Sequence, residues 1–302
     1  MTGSRLGAAS QQARAAFLCA CQLDVAVRKP GNVSLASPGH GMTAQQFSAS
    51  ARAAAAPLFA PGQRVGARIE AAMQASWSAA GCNTNLGILL LCAPIAVAVE
   101  RCPRAVDAPT LRGAIEAVLA DLDLDDAAAT YRAIALAQPG GLGEVPAQDV
   151  RRPPSIGLRE AMALAADRDS IARQYVNGFS ELFEVALPAL PAGWVPPRAV
   201  EAQAPDGATT AAVQWLYLAL LSDQADSHIV RKHGEAVAQT VMRSAQAWRA
   251  QAQAGAVLDT LPAFAAWDAE LKGAGINPGT SADFTVAALL LAALVDRPPG
   301  RA

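Results

Sequence analysis

Alanine is the commonest residue of the chain and is spread along its whole length, with runs at 53–56 and 127–129, whereas β-branched stretches are scarce. Such a chain has one inexpensive way to order itself. Alanine loses almost no side-chain entropy in a helix, so the composition predicts an all-α fold. The longest apolar runs, 86–99 (interrupted by Pro94) and 284–295, fall short of the ~20 residues that cross a bilayer. They are expected as buried core helices, with no membrane partner. With 302 residues, 52% of them apolar and 17% charged, the chain can bury a sizeable core and is not globally disordered.

Lys+Arg 24 against Asp+Glu 26 gives a formal charge of −2. That balance lacks the electrostatic footprint of a general nucleic-acid binder, so no nucleic-acid partner is expected. Only Lys29, Lys232 and Lys272 carry ammonium groups, which makes each of them informative. No continuous apolar segment follows Met1, so no export signal is expected. Five cysteines, Cys19, Cys21, Cys82, Cys92 and Cys102, are an odd number without zinc-ligand spacing. They read as reduced core thiols of a cytoplasmic protein.

Periodic apolar segments punctuated by Pro and Gly predict helices at about 8–27, 43–59, 63–80, 84–100, 108–122, 125–137, 157–176, 178–187, 208–231, 233–253, 257–272 and 281–295. Asp107, Ser155 and the acidic stretch 121–126 suit helix starts. Irregular proline-rich loops are expected near 138–157 and 187–208. The reading is one domain over 1–302, a multi-helix orthogonal bundle, whose exposed alanine faces suit a homodimer.

Polar, glycine-bearing words stand out against this background. Arg28-Lys29-Pro30-Gly31-Asn32-Val33-Ser34 ends the first helix with a cation beside free backbone N–H groups, which suits a phosphate or simply the helix dipole. Asn83-Thr84-Asn85-Leu86-Gly87 opens the most apolar run with three polar side chains, one more than capping needs twice over; a polar ligand would partner them. Pro139-Gly140-Gly141-Leu142-Gly143, followed by Asp149, is neither a Walker A loop nor a dinucleotide fingerprint. Within Asp167-Arg168-Asp169-Ser170-Ile171-Ala172-Arg173, Asp169 and Arg173 have the spacing of an ordinary helical ion pair. Asp226-Ser227-His228-Ile229-Val230-Arg231-Lys232-His233-Gly234 combines a carboxylate, cations and histidines five apart, a poor zinc spacing. Asp226 can hold Mg²⁺ while Arg231 or Lys232 holds a phosphate. Asn277-Pro278-Gly279-Thr280-Ser281-Ala282-Asp283 opens the last apolar helix, with Ser281 as a cap and Asp283 complementing the dipole or binding metal.

Taken in order, the Lys29-Pro30-Gly31 turn, the Asn83-Thr84 pair, Asp226…Arg231 with Gly234, and the 278–283 turn resemble the triphosphoribosyl-dephospho-CoA synthase family, over about 15–294. The resemblance implies an all-helical transferase that joins a hydroxyl of dephospho-CoA to C1′ of ATP's ribose, expels adenine and keeps the triphosphate. ATP is then a substrate, Mg²⁺ the implied cofactor, and small molecules the partners. Asp226, Asp283 and Asn83 are the implied catalytic residues. Lys29, Gly31, Asn32, Asn85, Arg231, Lys232 and Ser281 would bind the nucleotide or its phosphates, and Asp24, Asp226 and Asp283 the metal.

The words also depart from those of citrate-lyase-type members. His40-Gly41-Met42 stands for an H-x-D-M word, Asn83-Thr84-Asn85-Leu86-Gly87 for an N-T-H-K-G word, and Asp24 for a glutamate. The words Lys29-Pro30-Gly31-Asn32, Asn83-Thr84-Asn85-Leu86-Gly87, Pro139-Gly140-Gly141-Leu142-Gly143 and Arg168-Asp169-Ser170-Ile171-Ala172-Arg173-Gln174-Tyr175 are similar to a branch found in archaea and in bacteria that use tetrahydromethanopterin. Two alternatives therefore stay open: a related ribosyl-phosphate or other group transfer in one-carbon cofactor synthesis, and a non-catalytic helical nucleotide-binding or scaffold protein.

Overall fold

The structure, a computed structural model, describes residues 2–102, 106–139, 149–198 and 205–296, with backbone alone for 2–6. The glycines of the 139–143 word, 140, 141 and 143, lie outside the described residues. Among those described there are fourteen α-helices and no strand. They run α1 Thr2–Ala26, α2 Ala44–Leu58, α3 Val65–Ala80, α4 Leu86–Arg101, α5 Ala108–Ala120, α6 Leu124–Ala137, α7 Leu158–Ala163, α8 Ser170–Asn177, α9 Leu187–Ala189, α10 Gly207–Asp223, α11 Ser227–His233, α12 Glu235–Gln253, α13 Pro262–Gly273 and α14 Gly279–Leu294. A π-helical turn, Leu182–Ala186, leads into α9. The expected all-α bundle is what the chain forms.

Several starts follow from local chemistry. Thr43 and Gln46 form a capping box on α2, and Asp123 and Asp126 form another on α6. Asp107 accepts the Thr110 N–H at the start of α5, as expected. Ser155 does not cap α7, whose N-cap is Gly157.

Two long helices expected from periodicity are each broken by an aspartate. The segment 157–176 divides into α7 and α8 because Asp169 accepts the N–H groups of Ile171 and Ala172 and starts a new helix. The segment 208–231 divides into α10 and α11 because Asp226 does the same for His228 and Ile229. A carboxylate that satisfies N–H groups at a helix start competes directly with the continued ladder.

The helices α4 and α14 are apolar nearly all round and almost wholly buried, so they occupy the middle of the bundle. Helix α14 packs against α1, α4 and α10. One large apolar cluster surrounds this pair. A smaller one joins Tyr217 and Leu221 of α10, Ile229 of α11, Val241 of α12 and Phe264 and Trp267 of α13. Val213, Leu216 and Leu220 of α10 belong to the larger cluster, so this helix serves both. The outcome is that α4 and α14 start side by side, with α8 and α11 beside them.

Candidate functional site

A cavity of about 1080 Å³ opens where these helices begin, and is lined by residues 81–88, 168–172, 228–232 and 277–283 in part, with Asp24, Asn32 and Tyr131 among its other walls. The first turns of α4, α8 and α14 all border it, so their positive dipole ends converge on one space. Arg231 and Lys232, from the last turn of α11, add side-chain cations. Such a combination attracts anions.

Asp283 faces this space from α14 and has no hydrogen-bond donor among the described residues. Burial pushes its pKa well above the carboxylate range. The negative charges of Asp24, Asp226 and Asp169 push the same way, and Arg231 opposes them. Its room comes from Gly87 on α4. A Cβ there would sit 2.7 Å from Asp283 Cγ and 2.7 Å from Ile171 Cδ1, so α4 offers this acid a backbone face.

Asp24 lines the cavity from the last turns of α1, ion-paired at 3.0 Å with fully buried Lys29. Lys29 also donates to the Asp24 backbone carbonyl. Burial raises the Asp24 pKa and Lys29 offsets part of that rise. Lys29 itself does not reach the cavity wall. Its ammonium is spent on holding Asp24.

Gly31 is also behind the wall. It adopts φ +82, its N–H donates to Asp268 Oδ1 at 2.9 Å, and a Cβ would lie 2.7 Å from Pro278 Cδ. The close approach seats Asn32 against Asn277, whose Oδ1 accepts from Asn32 Nδ2 at 3.0 Å. Asn32 Oδ1 is buried in the cavity wall with no donor.

The Asn83-Thr84-Asn85 word lies wholly on the wall. Asn83 Oδ1 accepts the Leu86 N–H at 3.1 Å and so holds the start of α4. Thr84 donates to Ser50. Asn85 Oδ1 accepts from Ser76 Oγ at 2.7 Å, which leaves Asn85 Nδ2 buried without an acceptor.

Asp226 and Ser281 lie one layer back. Asp226 Oδ1 accepts the His228 and Ile229 N–H groups, and Oδ2 accepts the Ser281 N–H at 2.7 Å and its Oγ at 2.8 Å. One carboxylate thus ties the start of α11 to the first turn of α14. Ser281 is not the cap of α14, which begins two residues earlier at Gly279. Among the described residues no group of three or more His, Cys, Asp or Glu side chains is close enough to hold a metal ion unaided.

Sequence reasoning passed over several wall residues. Asp169 does not pair with Arg173. It caps α8 and faces Arg231 at 3.5 Å, while Arg173 binds Glu181. His228, set aside with the rejected zinc spacing, lies on the wall with Nδ1 3.4 Å from Arg231 Nη2 and with Nε2 unpartnered. Burial, then Arg231 and Lys232, push its pKa down to about 3, so the ring is neutral. Asn277 and Thr280 were inside a recognised word, but no local pattern marked them as wall residues.

Comparison with known proteins gives this geometry a context. The family model for ATP:dephospho-CoA triphosphoribosyl transferase (CitG) matches residues 10–300. The chain belongs to this family. Members of the ATP:dephospho-CoA triphosphoribosyl transferase family are transferases, as the sequence words implied. A crystal structure from Archaeoglobus fulgidus, provisionally described as a triphosphoribosyl-dephospho-CoA synthase, is similar with a TM-score of 0.59. It has 24% identity, over 81% of this chain and 98% of that one, which speaks for the shared fold. No curated protein matches the chain significantly.

Proposed function

We propose that the cavity carries out the family reaction, transfer of the triphosphoribosyl group of ATP to 3′-dephospho-CoA with release of adenine. The observation that carries the reading is the meeting of three helix starts, Arg231, Lys232 and the unpartnered Asp283 in one space large enough for a nucleotide. The bond from C1′ to N9 breaks with its electron pair leaving on adenine. A bond from C1′ to the acceptor oxygen forms, and the proton that the acceptor hydroxyl gives up balances the one that the departing adenine takes up.

Such a centre passes through an oxocarbenium-like state. Asp283 is the group with most to gain from positive charge beside it, since burial and three carboxylates destabilise its anion. It is also basic enough to take the acceptor's proton. Arg231, Lys232 and the helix starts hold the triphosphate. Asn83 fixes the start of α4, and Asn85 Nδ2 offers a hydrogen bond to the substrate. Lys29, Gly31, Asp226 and Ser281 act by positioning Asp24, Asn32 and the first turns of α11 and α14.

Mg²⁺ fits as the counterion of ATP, not as a resident ion. Phosphate oxygens supply most of its ligands, and the two carboxylates that line the cavity from α1 and α14, Asp24 and Asp283, suffice for the rest. Bound there, it would neutralise triphosphate charge. Asp226 has four donors on its two oxygens and is the least suited of the three acids.

Five free cysteines support a reducing, cytoplasmic setting, and the sharing of α10 between both apolar clusters supports one domain. The test is an adenine-release assay with Mg-ATP, with and without dephospho-CoA. Adenine that appears only with dephospho-CoA is the expected result. ATP binding without adenine would move the acceptor to a precursor of a one-carbon cofactor, which Leu86 favours by placing a buried apolar side chain on the wall. Neither binding nor turnover would leave a helical scaffold.

A further inference from the structure

Besides Asp24 Oδ1, which is ion-paired with Lys29, three buried polar atoms on the cavity wall lack a partner: Asn32 Oδ1, Asn85 Nδ2 and His228 Nε2. Two of them, on His228 and Asn32, are linked through Asn277. A Cβ on Gly279 would lie 3.1 Å from His228 Nδ1 and 3.6 Å from Asn277 Nδ2, so His228 and Asn277 flank the same backbone position. Asn32 is bonded to Asn277 and completes the group.

Their hydrogen-bonding sense is fixed by what already touches them. A guanidinium can only donate, so Arg231 beside His228 Nδ1 makes that nitrogen the acceptor and leaves the ring proton on Nε2. Asn32 uses its amide NH₂ on Asn277, and its oxygen remains an acceptor. The wall therefore presents a neutral donor, His228 Nε2–H, and a neutral acceptor, Asn32 Oδ1, to the same cavity.

An anionic phosphate oxygen would answer the donor and be repelled by the acceptor. The matching chemistry is a neutral group that donates and accepts at once. We propose that Asn32 and His228 form a reading pair for the nucleoside part of the bound nucleotide, recognising a hydroxyl or an amino group beside a ring nitrogen. The pair deepens the proposed function and rests on it, since ATP supplies both candidates: the ribose hydroxyls and the adenine edge. Leaving either wall atom buried and unpaired weakens binding, which is how such a pair discriminates.

The experiment is calorimetric binding to the full chain, with ATP, 2′-deoxy-ATP, 3′-deoxy-ATP, ITP and inorganic triphosphate as probes. Wild-type protein should bind ATP about tenfold more tightly than the analogue that lacks the group read. Loss with a deoxy analogue assigns the pair to ribose, and loss with ITP assigns it to the adenine edge. His228→Leu should cost about tenfold for ATP and leave triphosphate unchanged, whereas His228→Gln, which keeps an N–H donor, should restore most of the affinity. Asn32→Ala should erase the same discrimination.

Equal wild-type affinity for ATP and all three analogues overturns the pair, as would be the case if water alone occupied it. His228→Leu weakening ATP and triphosphate equally also overturns it, because the ring would then serve the phosphates. Wild-type protein that binds neither ATP nor triphosphate overturns the nucleotide reading as well. The nucleotide series on wild-type protein needs no variant to fold. As an independent check, ¹⁵N spectra of the free protein should show the Nε2–H tautomer for the ring signals that vanish in His228→Gln, and the Nδ1–H tautomer would refute the assignment.

Discussion

Gly87→Ala isolates the placement of Asp283 from its chemistry. The added methyl would press hardest on Asp283 Oδ2 and lie 2.7 Å from Asp283 Cγ and from Ile171 Cδ1, where ordinary contact needs close to 4 Å, so the carboxyl must retreat by more than about 1 Å. Alanine offers up to about 1 kcal/mol of helix propensity, and the strained rotamers and overpacking cost about 1–3 kcal/mol. The net loss of stability should be on the order of 1–2 kcal/mol, and the protein should fold. Turnover should fall about 100-fold, since an ångström of displacement at a reacting centre costs that much. The assay is adenine release beside a thermal melt. Gly113→Ala, on an exposed face of α5 with nothing within 4 Å, is the control. It should keep full activity and gain about 0.5–1 kcal/mol. Gly87→Ala turnover within twofold of wild type would refute the reasoning that this glycine exists to make room for the acid.

Asp283→Asn should leave the melting temperature unchanged or higher, because it removes an acid whose anion is destabilised among three carboxylates, yet lower adenine release by at least about 100-fold. Lys29→Met strands Asp24 in the interior and should cost about 3–5 kcal/mol in a denaturant titration, with Lys29→Met/Asp24→Leu recovering most of it. Glu181 gives the acid limb of stability. Burial alone would raise its pKa, but hydrogen bonds from Arg173, Asn177 and Gln174 hold it at about 2, below the ordinary 4.5. The unfolded chain therefore binds more protons between those values, so the contribution is complete above pH 4.5 and is lost as pH falls toward 2. Half-buried as it is, Glu181 should contribute on the order of 2 kcal/mol, and Glu181→Gln should flatten the melting profile across that window.

The helices were legible because alanine and the continuous apolar runs of α4 and α14 act locally. So were Asp107 and the 123–126 cap, which need only a carboxylate within reach of N–H groups three residues on. The breaks at 164–169 and 224–226 were not, since Asp169 and Asp226 interrupt segments whose apolar spacing continues across them. The words around 29–32, 83–87 and 277–283 marked the site's neighbourhood, but not which side chain would face the cavity. Lys29 looked like a phosphate ligand because its partner Asp24, five residues earlier, was on a helix whose inward face could not be told from sequence. His228 was dismissed on metal spacing alone. Its position depends on Gly279 and Arg231, and no one-dimensional pattern links residues 228 and 279.

The bond from Asn32 to Asn277 spans 245 residues. A ribosome adding about 5–20 residues per second makes the second partner roughly 10–50 s after the first. Throughout that interval the opening words of the chain are synthesised and α1 can coil, but the wall formed by 277–283 does not yet exist. Under the proposed function, binding competence is expected only with the last helix. A chain cut short before residue 277 would lack Asp283, the turn that seats Asn32 and the central helix of the bundle together, so on the proposed function nucleotide binding is expected only once synthesis has reached the C-terminal helix.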